Sequence, residues 1–149
     1  KINLNKFLQL FNPLPGNHYL QVALCEDEIT TALRSMMDSV SGELNLALYN
    51  EDNLNFSQPF RALSRDHDMV ILKDIFHKHE NPKMILKLAY LTLANTANVI
   101  IMEKKGIMDI EATKALLEEF EFRAPNEIDI VDGYDLVIAK KMHMWGNGL

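Results

Sequence analysis

The chain has 149 residues, of which 48% are hydrophobic and 24% charged, and its formal net charge is −6. This composition is typical of one globular domain, and the negative charge argues against non-specific binding to nucleic acid. Cys25 is the lone cysteine, which excludes an internal disulfide and suits a reducing cytoplasm. No apolar run approaches the roughly 20 residues of a membrane span, and we expect no secretory signal. The sequence begins at Lys1 rather than Met, which leaves open whether residues precede it.

The first third of the chain predicts a helix, a strand, a second helix and a second strand. Residues 3–11 carry apolar side chains at helical spacing, and Pro13 ends that pattern. Residues 19–24 form a short apolar run that is typical of a buried parallel strand. Gly42 closes the second helix and residues 44–48 predict the second strand. The apolar face of the second helix is Ile29, Ala32, Leu33, Met36, Met37 and Val40.

The middle of the chain predicts a reduced connection, then a strand, a helix and another strand. Residues 49–67 are polar and weakly patterned, with a short third strand expected at 59–63. Residues 68–73 give the clearest strand of this half, and 98–102 give a β-rich one. Asn81 and Pro82 predict a helix start, because Asn caps free amides and Pro suits the first helical position. The expected apolar face of this helix is Met84, Ile85, Leu88, Leu91 and Thr92.

The end of the chain predicts a capped helix and then a hairpin. Asp109 can cap the helix, and Asp132-Gly133 between strand-like residues 128–131 and 134–139 signals a tight turn. The expected apolar face of the helix is Thr113, Leu116, Leu117 and Phe120. The order of elements predicts an α/β fold, a three-layer Rossmann-like sandwich whose mostly parallel sheet ends in a C-terminal antiparallel hairpin strand.

We expect one domain over residues 1–149, with an N-terminal helix and lead-in at 1–17, a core at 18–141 and a tail at 142–149. The tail carries Trp145 between apolar and polar residues. It is expected to pack back on the domain, the alternative being a partner surface.

Four stretches resemble the class I S-adenosylmethionine-dependent methyltransferases. Residues 68–82 look like the family's fourth strand and following turn, and 93–103 like the passage into its fifth strand. Residues 116–123 look like the passage from helix to Gly-Phe, with Glu121 where Gly is usual. Residues 134–141 look like the last strand. The resemblance covers roughly 18–141 and implies this fold and S-adenosylmethionine as cofactor.

The family's first motif is an acid on the first strand followed by a Gly-x-Gly-x-Gly-like turn. Gln21 stands at the position of the acid, and Ala23, Cys25 and Asp27 stand at those of the glycines. Gln lacks the carboxylate that orients the methionine ammonium, and a Cβ in the turn disfavours positive φ and close approach. The resemblance therefore predicts that S-adenosylmethionine binds weakly or not at all.

The same turn has a simpler interpretation. Glu26, Asp27 and Glu28 concentrate negative charge where the second helix begins. That charge favours the helix dipole and would repel a carboxylate ligand. The three acids can therefore be caps on a solvated turn rather than remnants of a cofactor site.

At the end of the second strand, the resemblance implies an acid for the ribose hydroxyls. Tyr49 falls nearest that position, and Glu51 could serve if the strand runs on, because a carboxylate accepts two hydroxyl hydrogen bonds. The alternative is a polar turn without a ligand.

Asp74 and His77 follow the predicted strand at 68–73, at the sheet edge where α/β folds bind ligands. Either could act as a general base on a methyl acceptor. His77 and His79 alone make a weak case for a metal, so none is expected. The nearby lysines are expected to form a solvated basic face: Lys73, Lys78 and Lys83.

Three functions are compatible with these patterns. The favoured one is a methyltransferase-like domain with a degenerate cofactor site that acts as a binding or regulatory module. The alternatives are an active methyltransferase on a small molecule or protein, and a different nucleotide-binding α/β domain. A small molecule, a protein or a second copy of the chain is compatible as a partner, whereas nucleic acid and membrane are not expected.

Overall fold

The computed structural model describes residues 3–49, 60 and 64–142. Within them, six strands form one sheet in the order β2-β1-β3-β4-β6-β5. The first four strands of this order run parallel, whereas β6 is antiparallel to both β4 and β5. The predicted mostly parallel sheet with a C-terminal antiparallel hairpin strand is confirmed. The elements in chain order are α1 Asn5–Leu8, β1 His18–Ala23, α2 Glu28–Asp38, β2 Glu43–Leu48, β3 His67–Lys73, α3 Pro82–Thr92, β4 Leu93–Lys104, α4 Ile110–Glu119, β5 Phe122–Ile128 and β6 Tyr134–Lys141.

Helices cover both faces of the sheet and give the predicted three layers. Side chains alternate along β1, so that Tyr19 joins the core beneath α1 and α2 while Leu20 joins the core beneath α3 and α4. On the first face, α1 and α2 contribute Phe7, Ile29, Leu33 and Met37. On the second face, α3 and α4 contribute Ile85, Leu86, Ala89 and Leu117.

The predicted helix starts are confirmed by their caps. The Asn81 side chain accepts a hydrogen bond from the Met84 amide at 3.2 Å, and Pro82 is the first residue of α3. Asp109 likewise accepts from the Ala112 amide at 3.0 Å before α4. Both caps satisfy amides that have no partner within their own helix.

The predicted face of α3 is wrong in part. Leu91 is 45% exposed, whereas Leu86 and Ala89 are fully buried beside Ile85. α3 passes directly into β4 at Leu93. This connection fixes the rotation of α3 on the sheet, so that Leu86 and Ala89 point towards the core.

Three predicted boundaries also differ. The first helix is a single turn, α1, which ends well before the prolines because the Leu10 and Phe11 amides bond to the carbonyls three residues back instead of four. β4 is longer than the predicted 98–102, since it begins directly after α3 at Leu93, which already pairs with His67 of β3. The hairpin connects β5 and β6 through residues 129–133 rather than through two residues, and Gly133 supplies its positive φ of 81°.

Some predictions fall outside the described residues: the strand at 59–63 apart from Phe60, the acid Glu51, and the packing of Trp145. The division into lead-in, core and tail stays a prediction. Within the described ranges, no helix combines the length and the apolar character needed to cross a membrane.

Candidate functional site

The candidate site lies where the parallel strands end. β1 ends at Ala23, β3 at Lys73 and β4 at Lys104, and Tyr134 at the start of β6 pairs with Lys104. The turns after β1 and β3 and the beginning of β6 therefore meet at the carboxyl edge of the sheet, where open α/β folds bind their ligands.

The first turn ends in a capping box. The Asp27 Oδ1 atom accepts from the Ile29 amide at 3.0 Å and from the Thr30 amide at 3.3 Å, while the Asp27 amide donates to Thr30 Oγ1 at 3.2 Å. These bonds satisfy amides at the N-terminus of α2 that an anionic ligand would otherwise use. Asp27 thus acts as the cap that the simpler interpretation of the turn predicts.

Lys73 connects this turn to the turn after β3. Its Nζ lies 2.8 Å from Asp27 Oδ2, 2.7 Å from Asp74 Oδ2 and 4.9 Å from the centre of the Tyr134 ring. The Tyr134 hydroxyl also donates to Asp74 Oδ2 at 3.1 Å. Lys73 is only 6% exposed, so the expectation that it lies on a solvated basic face is wrong. The carboxylates stabilise the charge that burial alone would disfavour.

The ionisation of this cluster is mutually supported. Burial by itself would lower the pKa of Lys73, but hydrogen bonds to Asp27, Asp74 and Tyr134 outweigh it and raise the pKa. Burial likewise opposes the charge on Asp27, yet the hydrogen bond and charge of Lys73 bring its pKa below the ordinary value. The lysine and the capping aspartate therefore stay charged together at neutral pH.

Asp74 holds an unusual backbone conformation. Its φ is 61°, in the left-handed region, and its amide donates to the Met102 carbonyl at 2.9 Å. A residue with a Cβ persists there only when its contacts compensate the strain. The bonds to Lys73 and Tyr134 provide that compensation.

His77 is positioned by a carboxylate that the sequence analysis missed. The Glu103 side chain is fully buried and contacts His77 Nδ1, and it accepts from the Phe76 amide at 3.1 Å and the His77 amide at 3.4 Å. Burial raises the pKa of Glu103 although His77 opposes that shift. The available signal was a single acid directly after the apolar run at residues 99–102.

Gln21, the residue at the position of the family's acid, does not reach the edge of the sheet. It is fully buried inside β1, between Leu46 of β2 and Ile71 of β3. Neither polar atom of its side chain has a hydrogen-bond partner among the residues that the structure describes. Gln21 therefore carries an uncompensated desolvation cost.

The first turn does not use the conformation that glycine favours. Asp27 has an extended φ of −141°, and Cys25 is not among the described residues with positive φ. Ala23 is 2% exposed and Cys25 is exposed. The side chains at these positions thus sit on an unstrained backbone.

The remaining predicted residues are in the core or outside the description. Tyr49 is 5% exposed, its amide donates to the Ala23 carbonyl at 2.8 Å, and its ring centre lies 5.8 Å from that of His79. His79 is buried, and its Nδ1 accepts from the Asn81 amide at 2.9 Å. Glu51 lies outside the described residues. No group of three or more metal-binding side chains occurs in the described part of the chain.

Solved structures share this fold. A SAM-dependent methyltransferase from Aquifex aeolicus superposes with a TM-score of 0.70 at 14% identity, over 95% of this chain and 90% of that one. A putative methyltransferase complexed with the Haloferax volcanii activator Trm112 gives a TM-score of 0.68 at 10% identity, over 92% and 87%. The chain has the class I S-adenosylmethionine-dependent methyltransferase fold.

The likeness extends to larger enzymes of the same fold. Phosphoethanolamine N-methyltransferase 2 of Haemonchus contortus, bound to phosphomonomethylethanolamine and S-adenosylhomocysteine, gives a TM-score of 0.66 at 9% identity. The match covers 93% of this chain but 52% of that enzyme, so the chain spans about half its length. No family model matches the sequence, and no curated protein sequence matches it significantly.

Two cavities lie near the carboxyl edge of this methyltransferase fold. One of 140 Å³ is lined by Leu24, Asp74, His77, Lys78, Lys104 and Ile107. Its volume is below the roughly 300–1,000 Å³ of sites that enclose a cofactor-sized molecule. The other, of 590 Å³, lies between α1 and the hairpin loop and is lined by Asn3, Asn5, Lys6, Gln9, Asp129, Ile130 and Asp132. None of the predicted site residues lines the larger cavity.

Proposed function

We propose that this protein is a methyltransferase-like domain whose cofactor site is closed by its own side chains, and that it acts as a binding or regulatory module. The observation that carries the proposal is the double use of Asp27, which caps α2 with one carboxylate oxygen and pairs with Lys73 through the other. A small molecule or a protein is the partner we propose for such a module.

The contacts of Asp27 oppose the cofactor in two ways. The amides of Ile29 and Thr30 already have an acceptor, so a ligand gains little by replacing it. A methionine carboxylate would also compete with acids that already hold the nearby cations, since Asp27 pairs with Lys73 and Glu26 pairs with Arg34. S-adenosylmethionine would have to break the 2.8 Å ion pair before it reached the turn.

The alternative, an active methyltransferase, needs the same space. Asp74 and His77 lie at the carboxyl edge of the sheet, where a methyltransferase would need a proton acceptor. Asp74, however, is already bonded to Lys73 and Tyr134. His77 could accept a proton, but the methyl group would still have to come from S-adenosylmethionine. The geometry therefore supports binding better than methyl transfer.

A thermal-shift titration with S-adenosylhomocysteine tests the proposal. A ligand at 100 times its Kd stabilises the folded state by about 2.7 kcal/mol, which raises Tm by roughly 5–10 °C for a domain of this size. We expect no saturable rise for the wild type. We expect a rise for the doubly opened variant Asp27→Gly with Lys73→Ala, which removes both partners of the ion pair together.

The matched control is Glu26→Gly with Lys87→Ala. It removes one exposed acid of the same turn and one exposed lysine of α3, so that the net charge changes equally. A saturable rise in wild-type Tm would overturn the proposal. An equal response of the control and the opened variant would show that the Asp27–Lys73 pair is not what closes the turn.

A further inference from the structure

The 140 Å³ cavity at the carboxyl edge has a charge opposite to that of the whole protein. Lys78 and Lys104 both line it, and neither forms an ion pair with any part of the chain that the structure describes. Asp74 also lines it, but its carboxylate is engaged by the Lys73 ammonium and the Tyr134 hydroxyl. In a chain of net charge −6, these side chains leave a locally positive cavity.

His77 adds a directional group to this charge. Its Nδ1 faces the fully buried Glu103, and its side chain is 32% exposed. Its Nε2 has no hydrogen bond within the described residues. The two backbone amides that donate to Glu103 fix that carboxylate, and the carboxylate fixes the imidazole ring.

The protonation of the pair decides what Nε2 can do. Burial raises the pKa of Glu103, although His77 opposes that shift, and this favours a proton between the carboxylate and Nδ1. With that proton in place Nε2 carries a hydrogen, and without it Nε2 is an acceptor. The pair therefore offers a donor to the cavity only while it holds its proton.

We propose that this cavity binds a small oxyanion, the carboxylate or phosphate group of a ligand, with Lys78 and Lys104 balancing its charge and His77 Nε2 donating a hydrogen bond. The volume equals the share of about four to five water molecules, which suits one such group. Leu24 and Ile107 form the apolar part of the wall. This names a ligand class for the module proposed above and in that respect rests on it.

The test uses sulfate and acetate as probes, because neither titrates near neutral pH, with sodium chloride keeping the ionic strength constant. The readout is the ¹H–¹³C NMR signal of the His77 ring, assigned with the variant His77→Gln. We expect a saturable shift of this signal. Lys78→Gln combined with Lys104→Gln should weaken the binding about tenfold or more, because both charge-assisted contacts are lost.

The matched control is Lys87→Gln with Lys114→Gln, two lysines on helices away from the cavity, and it should bind as the wild type does. Circular dichroism and Tm must agree among the variants, so that loss of binding is not loss of folding. A shift that stays linear, or equal weakening in the control, would overturn the proposal.

A second readout is the affinity of a variant that lacks the ring donor. The charged groups around His77 are Glu103, Asp74, Lys78 and Lys104, with Lys73 and Tyr134 behind Asp74. His77→Phe keeps a ring but removes Nε2, so it should bind sulfate more weakly than the wild type when binding is measured by titration calorimetry. An unchanged affinity would exclude His77 as the donor. Cofactor binding by the wild type would overturn the proposed function and leave this result standing.

Discussion

Lys73 Nζ lies 2.8 Å from Asp27 Oδ2, so that one ion pair joins the N-cap of the first long helix to the end of a central strand. The other oxygen of the same carboxylate caps the helix. The two halves of the candidate site are therefore coupled through a single side chain, and a change at Asp27 removes both contacts at once.

We expect Asp27→Ala to lower the free energy of unfolding by about 1–3 kcal/mol, since it removes a cap and takes one of the two carboxylates, Asp27 and Asp74, from the buried Lys73. Lys73→Met should cost less, about 1 kcal/mol, because the cap survives and the remaining carboxylates are partly exposed. Urea unfolding at neutral pH measures both. A larger loss for Lys73→Met than for Asp27→Ala would contradict the coupled roles.

We expect that replacing Gln21 by an apolar residue raises the free energy of unfolding. Its side chain is fully buried without a hydrogen-bond partner among the described residues, and removal of an unsatisfied polar group recovers about 1–3 kcal/mol. Gln21→Leu should therefore raise the free energy of unfolding by about 1 kcal/mol after repacking. Gln9→Leu, at an exposed position, serves as the control and should change the free energy of unfolding little. Destabilisation by Gln21→Leu would mean that the amide has a partner.

Glu121 gives a second site where a substitution should stabilise. It follows the end of α4 with a φ of 73°, in the left-handed region, where an L-residue with a Cβ costs about 1–2 kcal/mol. Glu121→Gly should gain up to about 1 kcal/mol, after the increase in unfolded-state entropy that glycine brings is subtracted. Glu118→Gly, inside the helix, should instead cost about 1 kcal/mol. Thermal unfolding distinguishes the two variants. A lower Tm for both would contradict the claim that the backbone at Glu121 is strained.

We expect His67 to make the free energy of unfolding depend on pH. Burial lowers the pKa of His67, although the charge of Asp66 opposes that shift. The His67 Nε2 atom lies 2.9 Å from Asn45 Nδ2, and Nδ1 lies 2.9 Å from Thr92 Oγ1. As the pH falls through about 6.5, the unfolded chain binds a proton that the folded chain refuses, so the free energy of unfolding decreases. His67→Asn should show a shallower decrease between about pH 7.5 and 5.5 than the wild type.

His67→Asn and the wild type are compared by their slopes rather than by their absolute stabilities, because His67→Asn also loses the hydrogen bonds to Asn45 and Thr92. An unchanged slope in His67→Asn would show that another group carries the pH dependence.

Much of the architecture was predictable because it depends on local patterns. The caps Asn81 and Asp109 are confirmed, and so are the strands predicted at 19–24, 44–48, 68–73, 98–102 and 134–139. The strand predicted at 128–131 is wrong, since β5 ends at Ile128. The unusual residue Glu121, where the family has Gly, also coincides with a left-handed conformation. Local spacing was weaker for α3, where Leu91 is exposed because the passage into β4 decides the orientation of the helix.

The candidate site was harder to predict because its contacts are distant in sequence. Nothing near Lys73 in the chain indicates that Asp27 and Tyr134 compensate its burial. The pairing of His77 with Glu103 depends in the same way on β3 and β4 lying side by side. Sequence patterns gave the positions of Asp27, Asp74 and His77 at one edge, whereas their partners required the topology of the sheet.

Isothermal titration of the wild-type protein with S-adenosylhomocysteine, at ligand concentrations up to about 1 mM, tests the central claim most directly. The closed first turn predicts no saturable heat. A saturable isotherm with a Kd below about 100 μM would contradict it, because the ion pair of Asp27 and Lys73 would then coexist with, or yield to, the nucleoside.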